Sequence, residues 1–420
     1  MTEEIANKSN ETAKRLKEAI IAGDSPKMLE SIMHLSLEQG ASDIHIEAHK
    51  DIVQVRLRVD GVLAILVEYP LNIHPSVVSR VKIMANLKID ESRIPQDGRI
   101  TTYIGEIEVD MRISTLPTVN GEKIVMRVVD KSKAIPTLET LGIVGRNYER
   151  FIKAVSDPNG IILTSGPTGS GKTTTLYSAM SYLNSIEKNL MTFEDPIENQ
   201  MEGLNQSQIR LDIGYSFASG LRTALRQDPD IIMVGEIRDK ETIDIAIEAS
   251  LTGHLVLSTI HTNSAVETVT RILNMKVPDF LLTASVNLII AQRLARKLCP
   301  HCKVARAPST DAKKKIQEAF QVFSPYEGFD MEMLNDPIFY VPKKEGCDQC
   351  GGLGYKGRLG IYEVLYMSEE IKKSILAGTP SFEIQKLAQK EGMITLEQDG
   401  LIKAIKGDTS LEEVYKLIKD

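Results

Sequence analysis

The sequence holds 420 residues, 42% hydrophobic and 25% charged, the balance of a globular protein with two or three cores and not of a disordered or fibrous chain. Its formal net charge of −7 gives no electrostatic footprint for nucleic acid. The opening residues, Met1-Thr-Glu-Glu-Ile-Ala-Asn-Lys8, are polar and no apolar segment follows, which predicts a cytosolic chain without a secretory signal.

Residues 12–21 have helical spacing. Ser25 as N-cap, Pro26 at the first helical position, and Met28, Ile32 and Leu35 at i, i+4 and i+7 predict a second helix that ends at Gly40. From Asp43 the period changes to two. Val53, Val55, Leu57 and Val59 alternate with Gln54, Arg56, Arg58 and Asp60, and Asp60-Gly61 reads as a hairpin turn into residues 62–67. A helix with Val77, Val78, Val81 and Met84 on one side follows, then further alternation through residues 100–104, 107–114 and 123–129. These elements predict N-terminal helices over 1–40 and an α+β domain over 41–135, its edge lying where Pro136 and Gly142 interrupt the pattern.

Gly166, Pro167, Thr168, Gly169, Ser170, Gly171, Lys172 and Thr173 fit the phosphate-binding pattern G-x-x-x-x-G-K-[ST]. The apolar run 161–163 predicts a buried strand before it, and 174–183 a helix after it. Small residues let loop N–H groups converge on phosphate oxygens, and the helix N-terminus, opening at Thr174, adds its dipole. Lys172 then reaches the β/γ-phosphates and Thr173 offers its hydroxyl to Mg²⁺. Three more apolar runs follow: 190–193, ending in Glu194-Asp-Pro-Ile-Glu198; 230–236, ending in Glu236; and 255–260, flanked by His254 and His261. Strand–helix alternation over 136–298 predicts a parallel sheet with its site at the carboxyl ends.

Phosphoryl transfer to water needs a metal and a group that orients the water. Glu236 suits the first task and Glu194 the second, against the plain alternatives of a helix cap or ion pair. The two histidines bracket a strand predicted beside the loop, which suits a sensor of the γ-phosphate, though packing is the commoner use of a histidine. Arg99, Arg112 and Arg127 alternate with apolar strand residues and so point away from their core. They form either a solvated face or arginine fingers toward a nucleotide on a neighbouring domain or subunit.

The apolar stretch 280–298 is broken by Thr283, Ser285, Asn287, Gln292, Arg293 and Arg296, which excludes a membrane span. All four cysteines sit in two Cys-x-x-Cys pairs, Cys299/Cys302 and Cys347/Cys350. They match a four-thiolate structural zinc site over residues 299–360, with 303–346 as an insertion the pairs close; free thiols or a redox pair are the alternative. Residues 361–420 return to helical spacing, with Ile384, Leu387, Met393, Leu396, Leu401, Leu411, Val414 and Ile418 as predicted buried positions.

Several stretches together resemble the secretion ATPase superfamily that drives type II secretion and type IV pilus assembly, the GspE/PilB-like proteins. They are Gly40-Ala-Ser-Asp-Ile-His-Ile-Glu47, Arg93-Ile-Pro-Gln-Asp-Gly-Arg99, Asp110-Met-Arg-Ile-Ser-Thr-Leu-Pro117, the phosphate loop, Thr192-Phe-Glu-Asp-Pro-Ile-Glu198, residues 226–239, Thr252-Gly-His-Leu-Val-Leu-Ser-Thr-Ile-His-Thr262, residues 291–302 and the second cysteine pair. The resemblance implies an α/β protein: a PAS-like N-terminal domain, then a RecA-like P-loop ATPase with a zinc-binding insertion and C-terminal helices. It implies ATP, Mg²⁺ and Zn²⁺, with Glu194 as catalytic glutamate, Glu236 as the Walker B glutamate, His254 and His261 as the histidine box, and Arg99 and Arg112 as phosphate contacts; Arg222 and Arg226 are weaker matches. It further implies a cytoplasmic homo-hexamer, peripheral at the inner membrane through a platform protein and a membrane-recruiting protein, powering a pilus or pseudopilus without nucleic acid. A retraction motor and a DNA-translocating or conjugation ATPase are the rivals, the former generally lacking the cysteines. Larger members carry a further N-terminal domain, and residues 1–39 precede the Gly-Ala-Ser-Asp motif in this sequence.

Overall fold

Two different strand periods in the sequence build two different sheets. In the computed structural model residues 2–130, 134–325, 329 and 331–419 are described, and the chain divides into the units Met1–Ala134 and Ile135–Asp420.

The first unit contains α1 (Thr2–Ala22), α2 (Ser25–Glu38), β1 (Asp43–Ala48), β2 (Ile52–Val59), β3 (Val62–Pro70), α3 (His74–Met84), β4 (Gln96–Ile104), β5 (Ile107–Thr118) and β6 (Gly121–Asp130). The strands form one sheet in the order β3-β2-β1-β6-β5-β4, antiparallel throughout. Period-two alternation gives these strands one apolar face. Ile44, Ile46, Val53, Val55, Leu57, Met111, Ile113, Ile124 and Met126 are buried with Met28, Ile32, Val77 and Val81 of the helices. The cap of α2 is Asp24, one residue before the predicted Ser25; its carboxylate accepts from the Lys27 N–H at 3.2 Å, and Ser25 is left as the first helical residue.

The second unit opens with α4 (Gly145–Ser156), β7 (Gly160–Ser165), α5 (Lys172–Leu183), β8 (Leu190–Glu194), β9 (Asn205–Gln208), α6 (Phe217–Ala224), β10 (Ile231–Val234), α7 (Lys240–Leu251), β11 (Leu255–Ile260), α8 (Ala265–Asn274), α9 (Asp279–Ser285) and β12 (Val286–Leu298). It continues with β13 (Val304–Arg306), α10 (Thr310–Ala319), β14 (Phe339–Val341), β15 (Tyr355–Tyr366), α11 (Glu369–Leu376), α12 (Ser381–Lys390), α13 (Leu396–Ile405) and α14 (Leu411–Lys419). Its main sheet has the order β15-β12-β7-β11-β10-β8-β9, parallel except for β15 against β12. β7, β10 and β11 are buried at every position because helices cover both faces. Ile161, Leu163, Ile232, Val234 and Val256 pack with α6 to α9, α11 and α12. Ile162, Ile231, Met233, Leu255 and Leu257 pack on the other side with α4 and α5. Each such aliphatic side chain contributes about 1.5–3 kcal/mol on burial.

Two expectations change in the last third. Residues 361–366 belong to the edge strand β15, so the helices begin only at Glu369; β15 is buried from Gly360 to Leu365, but Gly360 and Glu363 break the apolar run that would mark it as a buried strand. Ile418 is 40% exposed, since the last turn of α14 runs past the apolar cluster that holds Leu401 and Val414. The insertion also carries more structure than its composition suggests, with α10 and the small β13–β14 pair.

Candidate functional site

β7 ends at Ser165, and the chain turns through residues 166–171 before α5 begins at Lys172. Gly166 has φ +145 and lies so close to β12 that an added Cβ would meet the Gln292 carbonyl oxygen at 2.5 Å; Gly171, at φ +88, caps α5. Both positions require glycine. Pro167, Thr168 and Gly169 are exposed at the loop tip, Ser170 is buried, and Thr173 and Thr174 occupy the first turn of α5. Lys172 is buried and its ammonium donates to the carbonyls of Gly166 at 2.8 Å and Pro167 at 3.0 Å. Burial lowers its pKa, with the Glu236 charge pulling the other way. The lysine therefore spans the concave side of the loop where an anion would sit.

Parallel register levels the strand ends. Ile260 pairs with Ser165, and Val234 pairs with both Ser258 and Phe193, so Gly166, Glu194, Glu236 and His261 all leave the sheet at its carboxyl end. Glu194 is 2% exposed. Its Oε2 accepts from the Tyr177 hydroxyl, and its Oε1 accepts from Thr192 Oγ1 at 2.6 Å and Gln206 Nε2 at 3.1 Å. Glu236 pairs with Arg238, and His261 Nε2 lies 3.5 Å from it. A cavity of about 480 Å³ beside the loop is lined by Gly166, Pro167, His261, Asn263, Glu267 and Arg271, among others.

His254 is elsewhere. It precedes Leu255, whose parallel partner is Gly160, the first residue of β7, so a six-residue strand of about 20 Å separates it from His261. Its Nδ1 lies 2.8 Å from the Ala249 carbonyl oxygen, a bond that closes the turn after α7. The two histidines thus bracket a strand beside β7 as the sequence predicts, but only His261 leaves it at the end of the sheet that carries the phosphate loop, because a strand's two flanks emerge at opposite ends.

In the first unit Arg99 pairs in register with Arg112, and Arg112 with Arg127. Arg127 then faces Asp43, which faces Arg58, with Arg127 Nε 3.2 Å from the Asp43 carboxylate. Like charges directly across strands repel, and Asp43 offsets this in part by pairing with both Arg127 and Arg58. Arg222 is paired with Glu241 at 2.5 Å, and Arg226 Nη1 donates to the Arg222 carbonyl at 3.0 Å.

The family description "Type II/IV secretion system protein" matches residues 18–416. The chain belongs to this family of GspE/PilB-like ATPases. It is 46% identical over 388 residues to the type IV pilus assembly ATPase PilB of Thermus thermophilus, which covers 92% of this chain and 42% of that one. It is 42% identical over 399 residues to the type II secretion system ATPase E of Vibrio cholerae, covering 94% and 76% respectively. The chain thus spans less than half the length of its Thermus relative. The solved structure of the ATPase DotB of Legionella pneumophila superposes with a TM-score of 0.66 at 21% identity, over 94% of this chain and 96% of that one, a likeness of fold. The mixed sheets and the phosphate loop are those of a P-loop ATPase.

This secretion-family chain also brings its four cysteines together, although the pairs lie 48 residues apart. The four sulfurs lie within 4.8 Å of one another, with separations of 3.7 Å for Cys299–Cys347 and 3.8 Å for both Cys302–Cys350 and Cys347–Cys350. A tetrahedron with Zn–S bonds of about 2.3 Å has edges of about 3.8 Å, so the donor set fits zinc. All four thiols are free. The N–H groups of Cys347 and Gly354 donate to Cys350 Sγ at 3.2 and 3.1 Å; burial opposes ionisation there, yet these donors bring the thiol down to about 7. Sequence reasoning missed Tyr177, Gln206 and Gln292. The first two are separated from Glu194 by 17 and 12 residues, and no local spacing marks either. Among the described residues no helix is long and apolar enough to cross a membrane.

Proposed function

We propose that the chain is the Mg-dependent ATPase engine of a type IV pilus or type II secretion pseudopilus machine. The observation that carries this is the meeting of the phosphate loop, Glu194, Glu236 and His261 at one end of the parallel sheet. Residues 166–174 bind the triphosphate, with Lys172 leaving the loop carbonyls for the β/γ-phosphates and Thr173 serving Mg²⁺. Glu194 orients the attacking water, Glu236 supports the metal's water shell, and His261 responds to the γ-phosphate. Glu194 must exchange at least one of its protein donors for water before it can act.

Arg99 and Arg112, from a PAS-like domain over residues 41–135, neutralise phosphate charge in the assembled machine. Residues 136–298 form a RecA-like core, residues 299–360 a zinc module held by Cys299, Cys302, Cys347 and Cys350, and residues 361–420 a C-terminal part. His254 remains a member of the histidine box in this reading, acting at the turn after α7. Subunits assemble as a cytoplasmic homo-hexamer that acts on an inner-membrane platform protein with a membrane-recruiting partner. Identities of 46% and 42% to a pilus ATPase and a secretion ATPase and the fit of the cysteine cluster to zinc support this reading.

The test is Mg-dependent ATP hydrolysis by the purified protein, wild type against Glu194→Gln, with and without the cytoplasmic part of a platform protein. Turnover lost in the variant and raised by the platform protein is the expected result. Equal rates in both proteins overturn the role of Glu194, and ATP binding without turnover in either overturns the motor reading.

A further inference from the structure

Gln292 sits on β12 and is 1% exposed. Its Oε1 accepts from the Thr175 hydroxyl at 2.8 Å, and its Nε2 donates to the Ser170 carbonyl at 2.7 Å. One buried amide therefore ties the first turn of α5 to the apex of the phosphate loop, and both of its heteroatoms are used in the one orientation that suits both partners. Apart from that bond the Ser170–Gly171 peptide has no hydrogen bond among the described residues, and Gly171 beside it, at φ +88, tolerates its rotation. In a trans peptide the N–H points opposite to the C=O. Holding the Ser170 carbonyl on β12 thus turns the Gly171 N–H away from β12, and among the described residues that N–H donates to no protein acceptor. A buried amide spent on a loop carbonyl, beside an N–H left for something else, is the arrangement of a preorganised anion cradle.

We propose that Gln292 is a positioning residue for nucleotide binding: it presets the Ser170–Gly171 peptide so that the Gly171 N–H is aimed at a phosphate oxygen before the nucleotide arrives. The inference rests on the nucleotide-binding reading of the loop. It separates the two halves of the amide. Gln292→Glu keeps the acceptor for Thr175 but sets a carboxylate oxygen against the Ser170 carbonyl, which rotates the peptide away. Gln292→Met keeps the shape and removes both bonds. Thr175→Val removes only the α5 bond and leaves the loop clamp.

The experiment is the affinity for a fluorescent ATP analogue with Mg²⁺, with each protein's melting curve recorded without nucleotide. Gln292→Glu and Gln292→Met weaken binding about tenfold or more, as loss of an aimed charge-assisted donor does, while Thr175→Val changes it by less than about threefold even if all three melt earlier. A merely structural Gln292 would give affinities that follow the melting temperatures, so Thr175→Val weakening binding as much as Gln292→Glu overturns the proposal. Wild-type affinity in Gln292→Glu and in Gln292→Met also overturns it. Should Gln292→Glu not fold, Gln292→Met against Thr175→Val decides alone. Failure of the wild type to bind the analogue takes down the nucleotide reading itself, a result distinct from any difference among the variants.

Discussion

Tyr177→Phe tests how Glu194 is held. The phenol is 2% exposed, donates to Glu194 Oε2, and accepts long bonds of 3.3 Å from the N–H groups of Glu198 and Asn199. Burial and the Glu194 charge both push the phenol's pKa up, so it stays a donor at any working pH. Phenylalanine keeps the ring and leaves Oε2 without this donor, while Thr192 and Gln206 still serve Oε1. A hydrogen bond to a buried charged acceptor contributes about 1.5–3 kcal/mol; the two long amide bonds add little. The second unit should therefore lose about 2 kcal/mol, a fall of about 3–4 °C in melting temperature for a domain of this size. Urea unfolding followed by circular dichroism measures it, and the same substitution in a Glu194→Gln background should cost about 1 kcal/mol or less, because the acceptor's charge is gone. A loss below about 0.5 kcal/mol, or one equal in both backgrounds, would refute the argument that the phenol restrains the carboxylate.

Glu194→Gln should lower kcat by about 10²–10⁴ while the ATP analogue still binds, which steady-state kinetics and a binding titration separate. Lys172→Ala should weaken the analogue by about 10–100-fold through loss of a charge-assisted phosphate contact, and unchanged affinity would remove the lysine from the site. Purified protein should carry about one zinc per chain by elemental analysis; Cys350→Ser or a strong chelator should release it and lower the melting temperature, whereas full metal content in the variant would refute the four-thiolate site. Glu413 is pushed up by burial but drawn further down by the Arg296 guanidinium, so its pKa lies below the ordinary range. Its stabilisation is present above the ordinary carboxylate pKa and lost as pH falls through the depressed one. The stability advantage of wild type over Glu413→Gln should therefore shrink between about pH 5 and pH 3, and a constant difference would contradict the pairing.

Local chemistry was legible in the sequence wherever neighbours in the chain are neighbours in space. Gly166 to Thr173 is such a case: the strand before it, the glycines at 166 and 171 and the lysine at the helix start are all fixed by local sterics. So are the alternating strands β2 and β5 and the Asp60-Gly61 turn, where Asp60 takes φ +48 and Gly61 φ +86. Pattern reading failed at β15, because Gly360 and Glu363 interrupt the kind of apolar run that marked the buried strands β7, β10 and β11.

The tertiary structure decided what spans distance. Sheet order and register sent His261 to the phosphate loop and His254 to the opposite edge, although seven residues of sequence make them look like a pair. It lined up Arg99, Arg112 and Arg127 from three strands and closed the two cysteine pairs into one four-thiol cluster. It also brought Gln292 onto Ser170 across 122 residues. A sequence determines which side chains a segment can offer and to which face, through period and turn chemistry; which offers meet is set by strand pairing, a property of the whole sheet that no single segment contains.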